Sequence, residues 1–285
     1  MNLFEGLEQF GIKADETSNL FEEEKKPVVV AEDGSVTEAI PTEDQFLIEK
    51  GLRCPVCDKV FKTKMIKSGR IKRMEPDKDL RPRHEYIDTL KYDVSSCPFC
   101  GFTAISKYFG HLTSVQMKMI REQVTANFKP TGEEPAIFDY DYAIGRYKLA
   151  LFNTMVKKGK TSEKAYTCLR LAWLYRGKYE TLDSENKELD AQREDAKKQE
   201  EMFYQQAYEG LNKAVSTEMF PICGMDQTTL DYLLAVMASH FKKFDVASKC
   251  IANILSSQAA SPKVKDKARD LKEEIVAEIR KTKQV

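Results

Sequence analysis

The sequence predicts an α+β protein in which a small N-terminal β module precedes an all-α repeat domain. Two observations carry this prediction. Two C-x2-C pairs, Cys54 with Cys57 and Cys97 with Cys100, lie among short alternating segments in the first half of the chain. From about Asp139 onward, apolar residues recur at the three- and four-residue spacing of amphipathic helices. The 285 residues suffice for two modest domains.

Each cysteine pair has the spacing of half a tetrahedral metal site. The second thiolate of a C-x2-C turn reaches the ion bound by the first, and two turns supply four soft sulfur ligands, which suit zinc better than calcium or magnesium. Asp58 and Gly101 follow the two pairs, at positions that favour a left-handed backbone. We therefore predict one Zn²⁺ held by these four cysteines. The 39 residues between Cys57 and Cys97 predict a large insertion between the turns.

A site closed by four protein thiolates leaves no position for water or substrate. The ion is therefore expected to be structural, and the chain is not expected to be an enzyme. Iron is the alternative, because the same ligands hold the one-iron electron-transfer centre of rubredoxin-like proteins. Disulfides are disfavoured, since the cysteine count of seven is odd and the N-terminus has no basic secretion signal. No apolar run approaches the ~20 residues that span a bilayer, so we expect a cytoplasmic protein without membrane contact.

The formal net charge of zero conceals a division along the chain. Residues 1–49 carry 3 basic and 13 acidic side chains, whereas residues 50–128 carry 16 and 8. We expect residues 1–44 to form a disordered acidic arm, residues 45–130 a zinc ribbon with an inserted basic arm and a trailing helix, and residues 136–285 the helical repeat domain. The acidic arm also carries a short apolar docking stripe, formed by Leu3, Phe4, Leu7, Phe10 and Ile12.

Short alternating segments predict the strands of the ribbon. Residues 45–48 are expected to lead into the first cysteine pair as a strand. Residues 60–67 and 70–74 flank a Ser-Gly turn and are predicted to pair as a hairpin. A further strand, residues 91–95, is expected to deliver the second cysteine pair to the metal.

Helical patterns begin with a capping box at Thr113 and Gln116 and dominate after Asp139. Residues 234–254 show the spacing of a tetratricopeptide helix pair, and a similar pair begins at Leu171 and is interrupted by a polar insertion. An ordinary helical bundle would show the same apolar stripes. Three stripes are predicted: Ile144, Tyr147, Leu151 and Met155; Leu230, Leu233, Leu234, Met237 and Phe241; and Val264, Ala268, Leu271, Ile275 and Ile279.

The motifs CPVC, DKDLRP and YDVSSCPFCG, read together, resemble the bacterial family catalogued as domain of unknown function 2225. The similarity extends over most of residues 45–260. The resemblance implies a zinc ribbon followed by tetratricopeptide-like helices, in agreement with the two patterns above. It implies no biochemical activity, because the family itself has none assigned.

The insertion between the cysteine pairs is basic and contains aromatic residues, as do zinc ribbons that bind nucleic acid through phosphates and exposed bases. Basic residues also protect the edges of small sheets, and Asp77 and Asp79 are expected to pair with the neighbouring arginines. We favour this structural pairing. The candidate anion or nucleic-acid contacts are Lys64, Lys67, Arg70, Lys72, Arg73, Arg81 and Arg83.

These patterns favour a non-catalytic adaptor whose helical repeats bind a protein or peptide partner in a groove. Tyr175, Tyr204 and Tyr208 are the predicted anchors of that groove. A nucleic-acid-binding ribbon is the first alternative and a rubredoxin-like electron carrier the second. The sequence indicates no small-molecule substrate, since it contains no glycine-rich phosphate loop or serine elbow.

Overall fold

The structure, a computed structural model, describes residues 28–30, 36–38, 40–130 and 132–282. The chain divides into two units, Met1–Thr42 and Glu43–Val285. In the first unit, β1 (Val28–Val30) pairs antiparallel with β2 (Val36–Glu38). This part of the acidic arm therefore forms a strand pair rather than the disordered chain that was predicted, as its β-branched composition favours. The apolar stripe of the arm lies outside the described residues.

In the second unit, the first cysteine pair lies in the turn of a hairpin. Strand β3 (Leu47–Arg53) pairs antiparallel with β4 (Val60–Ile66) over their full length. Phe61 and Thr63 are buried on one face of the pair, while the opposite face carries charged side chains. The predicted strand at residues 45–48 begins later than expected, because Glu43–Phe46 forms a 3-10 helix.

The predicted hairpin between residues 60–67 and 70–74 is wrong. A 3-10 helix, Ser68–Arg70, directs the chain away from β4, whose partner is β3 instead. The returning chain runs antiparallel to residues 83–85, and Met74 N donates to Arg83 O at 2.9 Å. The Ser-Gly turn after β4 suggested a hairpin with the chain that follows. The true partner is β3, which precedes β4, and its apolar positions allow this pairing.

The second cysteine pair occupies an equivalent turn. Strand β5 (Val94–Ser96) pairs antiparallel with β6 (Thr103–Ile105). Part of the strand predicted at residues 91–95 is instead a 3-10 helix, Thr89–Tyr92, which begins where the Asp88 carboxylate accepts a hydrogen bond from Leu90 N. The two cysteine turns thus belong to two separate short hairpins.

Helix α1 (Ser114–Ile120) follows the second hairpin and begins with the predicted capping box. Thr113 Oγ1 accepts from Gln116 N, and Gln116 Oε1 accepts from Thr113 N. The helix continues as a π-helical segment, Arg121–Thr125. Ile120 and Val124 belong to the apolar cluster around the cysteines.

The rest of the chain is helical. Helix α2 begins after Asp139, whose carboxylate accepts from Tyr142 N. Helix α3 packs against α4, α5 against α6, and α7 against both α5 and α6. The helices are α2 (Tyr140–Val156), α3 (Thr161–Thr181), α4 (Asp190–Thr217), α5 (Gln227–His240), α6 (Phe244–Ser256) and α7 (Pro262–Thr282).

Two of the three predicted stripes form buried helix faces, on α5 and α7. The stripe predicted for α2, which ends at Met155, is partly wrong. Met155 is 59% exposed, whereas Ala143 and Ala150 are buried. Helix α2 packs against both α3 and β6, and small residues permit this close approach on two sides. The residues buried on α5 and α7 are Leu230, Leu233, Leu234, Met237, Ala268, Leu271 and Ile275.

The main hydrophobic core joins a hairpin to the helices. Val94 of β5 and Ile105 of β6 belong to the same buried cluster as Leu169 and Leu174 of α3. The α+β layout predicted from the sequence is therefore present, and residues 43–285 pack as one unit. Independent folding of its two parts stays a prediction. Within the described residues, every helix is too short or too polar to cross a bilayer.

Candidate metal centre

Four sulfur atoms from the two hairpin turns meet in a single cluster. Cys54 Sγ lies 3.5 Å from Cys100 Sγ, and Cys57 Sγ lies 3.6 Å from Cys97 Sγ. All four sulfurs lie within 4.8 Å of one another. A tetrahedral ion with bonds of about 2.3 Å to sulfur separates its ligands by about 3.8 Å, so the cluster has the dimensions of a four-thiolate metal site.

Both turns use the same backbone arrangement. Cys54 N donates to Lys59 O and Asp58 N to Cys54 O, at 3.0 and 2.9 Å. Cys97 N donates to Phe102 O and Gly101 N to Cys97 O, at 2.9 and 3.0 Å. Asp58 and Gly101 have φ angles of 61° and 74°, in the left-handed region predicted for these positions. Each turn therefore bends its chain back around the sulfurs.

Backbone amides also point at the sulfur atoms. The N–H groups of Phe99 and Cys100 donate to Cys97 Sγ, and Phe102 N–H donates to Cys100 Sγ. Hydrogen bonds of this kind stabilise a thiolate relative to a thiol. They prepare the turn for the charged form that binds a metal.

The helices hold the turns from outside. Arg121 Nε and Nη2 donate to Val56 O at 3.0 and 2.6 Å, and Thr125 Oγ1 donates to Cys100 O at 3.0 Å. Asn153 Nδ2, on buried α2, donates to Gly101 O at 3.1 Å. The sequence analysis missed these three residues. A polar side chain among the apolar positions of a helix is a signal of a buried hydrogen bond, and it could have indicated them.

The cluster is almost fully shielded from water. Cys54, Cys97 and Cys100 are buried among apolar side chains, and Cys57 is partly exposed. Contact with the Cys54 and Cys97 thiols, together with burial, raises the pKa of Cys100 well above its ordinary value. The pKa of Cys97 is lowered by its hydrogen bonds with Cys100 and Cys54. Four thiolates this close together would repel one another, and a bound cation would offset that repulsion.

The fold and the cluster define an α+β protein with a four-cysteine site suited to a metal ion, set in two hairpin turns and enclosed by helices. The chain belongs to the family described as "Uncharacterized protein conserved in bacteria (DUF2225)", which matches residues 47–275. The resemblance drawn from its motifs is thereby confirmed. Neither a curated protein nor a solved structure matches the chain.

The structure separates the predicted basic contacts into two groups. The first group lies on β4 and the chain that follows it, where Lys67 Nζ donates to Gln45 O and Lys72 pairs with Glu85 at 3.0 Å. Lys64 is partly exposed, and Arg70 and Arg73 are exposed. These five residues are therefore at least partly accessible to solvent.

Arg81 and Arg83 form the second group, and their partners are carboxylates. Arg81 is 1% exposed and pairs with Glu180 of α3 at 2.9 Å. Arg83 pairs with Asp77 at 2.7 Å and with Glu180 at 3.0 Å. The geometry corrects their assignment as anion or nucleic-acid contacts, because their guanidinium groups are already engaged within the protein.

Asp79 has a different partner from the one predicted. Its carboxylate accepts from Trp173 Nε1 at 2.9 Å and from Arg176 Nη2 at 2.8 Å, both on α3. Structural pairing was therefore the correct interpretation of this motif for Asp77 and Arg83. The link to α3 was missed because Arg176 lies 97 residues away in sequence.

Tyr175, Tyr204 and Tyr208 do not line an open groove. All three are buried in the main core. The Tyr175 ring stacks on Phe203, and Tyr204 and Tyr208 both contact Phe241. Their assignment as exposed anchors is corrected by this burial, while partner binding itself stays a prediction.

Proposed function

We propose that the four cysteines hold one structural Zn²⁺. The observation that carries the proposal is the convergence of four sulfurs from two matched turns, three of them buried. Four protein thiolates complete a tetrahedral shell and leave no position for a reacting water, so we propose no catalysis at this ion. Seven unpaired cysteines also suit a reducing compartment such as the cytoplasm.

Metal analysis tests this proposal directly. Protein purified without added metal is expected to contain about one zinc per chain and to be colourless, as befits a closed site for a d¹⁰ ion. One iron per chain with a red colour would support the rubredoxin-like electron carrier instead. A folded chain with neither metal would contradict both assignments.

We further propose that the protein is an adaptor whose helices bind an extended segment of a partner. Support comes from the packing of α3 with α4 and of α5 with α6, since tetratricopeptide repeats are also built from pairs of packed helices. The chain's own insertion supplies a second reason, because side chains of α3 and α7 hold it through ion pairs. These helix surfaces are thus chemically suited to polypeptide.

Nucleic-acid binding remains the second candidate, favoured by one observation. Lys64 lines a surface cleft together with the exposed Phe99, and Arg73 pairs with His84, two residues before the exposed Tyr86. Binding to single-stranded oligonucleotides should then weaken steeply with salt and be lost in Lys64→Glu/Arg73→Glu. Binding that ignores salt, or that survives this double substitution, would contradict it.

A further inference from the structure

Residues 75–83 of the insertion, called here the docked segment, contact two helices that are far apart in sequence, α3 and α7. Asp79 binds Trp173 and Arg176 of α3. Farther along, Lys78 pairs with Glu274 of α7 at 2.6 Å, and Glu75 with Lys267 of α7 at 2.8 Å. The helical region therefore holds a stretch of the chain's own polypeptide through its side chains.

The two ends of the docked segment are held very differently. At the α3 end, Asp79 and Arg81 are 3% and 1% exposed, and their charges are paired within the protein. At the α7 end, the side chains of Glu75 and Lys78 are 65% and 68% exposed. Exposed ion pairs contribute little to stability, whereas breaking a buried pair is costly. The α3 end is thus an anchor, and the α7 end is held weakly.

A cavity of about 230 Å³ lies beside the weakly held end. Tyr232 of α5 and Leu271 of α7 provide an apolar wall, and Lys267 and Asp270 provide charge. Residues 75–78, called here the cover, leave this space unfilled. The cavity therefore offers room for a side chain that the cover does not supply.

We propose, building on the adaptor function above, that the α5–α7 surface under the cover binds an extended acidic segment of a protein partner. The partner places a carboxylate where Glu75 now lies, between Lys267 and Lys263, whose amino groups are 2.8 and 3.5 Å from the Glu75 carboxylate. An adjacent apolar side chain of the partner enters the cavity against Tyr232 and Leu271. The cover is a tethered competitor for this site.

The tether sets the size of the competition. A segment held next to its site by a short linker acts at an effective concentration in the mM range. For a cover that itself binds the bare site with an intrinsic dissociation constant of about 0.1 mM, the apparent affinity of a competing free peptide is lowered about tenfold. Substitutions that release the cover from α7 should recover this tenfold loss of affinity. The buried contacts of Asp79 should keep the rest of the insertion docked on α3.

The test uses the full chain and a fluorescein-labelled acidic peptide that copies residues 74–79 with serine in place of Lys78, so that apolar Met74 stays beside Glu75. The vacated variant is Glu75→Ser/Pro76→Gly/Lys78→Ser, which leaves Asp77 and Asp79 in place. Fluorescence anisotropy should show about tenfold tighter binding to this variant than to the native chain. Binding should be lost when Lys263→Glu/Lys267→Glu is added, and lost for a peptide with lysine in place of Glu75. Glu75→Lys alone serves as a second variant, should the triple substitution impair folding, and it should also expose the site.

Equal affinity for the native and vacated chains, or binding that persists after reversal of both lysines, would overturn the inference. Zinc content and helical circular dichroism are measured on the same samples. A vacated chain that holds one zinc and binds no peptide refutes the exchangeable cover but leaves the structural zinc site intact. A chain without zinc refutes that site, whatever the peptide does.

Discussion

Gly101 is the residue at which the backbone of the metal site is least tolerant of change. Its φ of +74° is strained for any residue with a Cβ, and an added Cβ would lie 2.5 Å from the Phe128 ring. Its carbonyl oxygen also accepts the hydrogen bond from Asn153. Backbone conformation, ring packing and a helix contact thus converge on one glycine next to Cys100 of the sulfur cluster.

Gly101→Ala is expected to lower the free energy of unfolding of the metal-loaded protein by at least about 2 kcal/mol, from left-handed strain plus overpacking against Phe128. Urea denaturation measures the effect. Gly69→Ala is the matched control, because a Cβ there meets no atom within 4 Å. Equal effects at the two glycines would show that the Gly101 conformation is unimportant.

Asp231 on α5 should make stability depend on pH. Burial raises its pKa above the ordinary value of 3.8, so the folded state favours the protonated form. Below pH 3.8 Asp231 is protonated in both states and does not reduce the free energy of unfolding. As pH rises from 3.8 through the raised pKa, its ionisation lowers that free energy. Asp231→Asn should therefore be more stable than the native chain at pH 7, and the difference should shrink on acidification. Urea titrations of both proteins at several pH values test this, and a constant difference would contradict it.

Among the elements, the docked segment is held against α3 by the buried carboxylate of Asp79. Asp79→Asn is expected to cost about 3 kcal/mol, because it leaves Arg176 short of a partner inside the protein. Glu75→Gln is the control, since Glu75 is mainly exposed and should change stability little. Both effects are read from urea denaturation. Similar small losses for the two variants would show that the α3 end is no firmer than the α7 end.

The elements also show what the sequence can predict. Local signals were sufficient for the capping box at Thr113, the start of helical structure near Asp139 and the left-handed residues of both cysteine turns, because each depends on residues a few positions apart. Strand pairing was not predictable in the same way. Strand β4 had two candidate partners of similar composition, and packing of Phe61 into the cysteine cluster favours β3.

For the whole molecule, removal of one ligand should have a graded effect. In Cys97→Ser we expect loss of the proposed zinc and faster amide exchange in β3, β4, β6 and α1, since each of these contributes a side chain to the apolar cluster around the cysteines. Helices α5–α7 should keep their protection because their core lies elsewhere. Exchange mass spectrometry measures both. Cys250→Ser, which alters a cysteine outside the cluster, should change neither zinc nor exchange; uniform deprotection in Cys97→Ser would show one cooperative unit.

At this scale the sequence was least informative about how the ribbon region meets the helices. The grouping of the four cysteines was predictable because C-x2-C spacing carries its chemistry locally. The contact between Asp79 and Arg176 joins residues 97 positions apart, and nothing in either local pattern specifies the other. The buried tyrosines were misplaced for a related reason, since an aromatic side chain suits a groove or a core equally well.

The insertion between the cysteine pairs is a loop closed at two places, by the sulfur cluster at its ends and by Asp79 on α3 near its middle. Each closure reduces the conformational freedom that the other must restrict. With the proposed ion bound, metal affinity and docking of the segment should therefore be thermodynamically coupled, and the coupling would have the same size in both directions. A partner that displaced the whole insertion would loosen the ion, and loss of the ion would free the insertion.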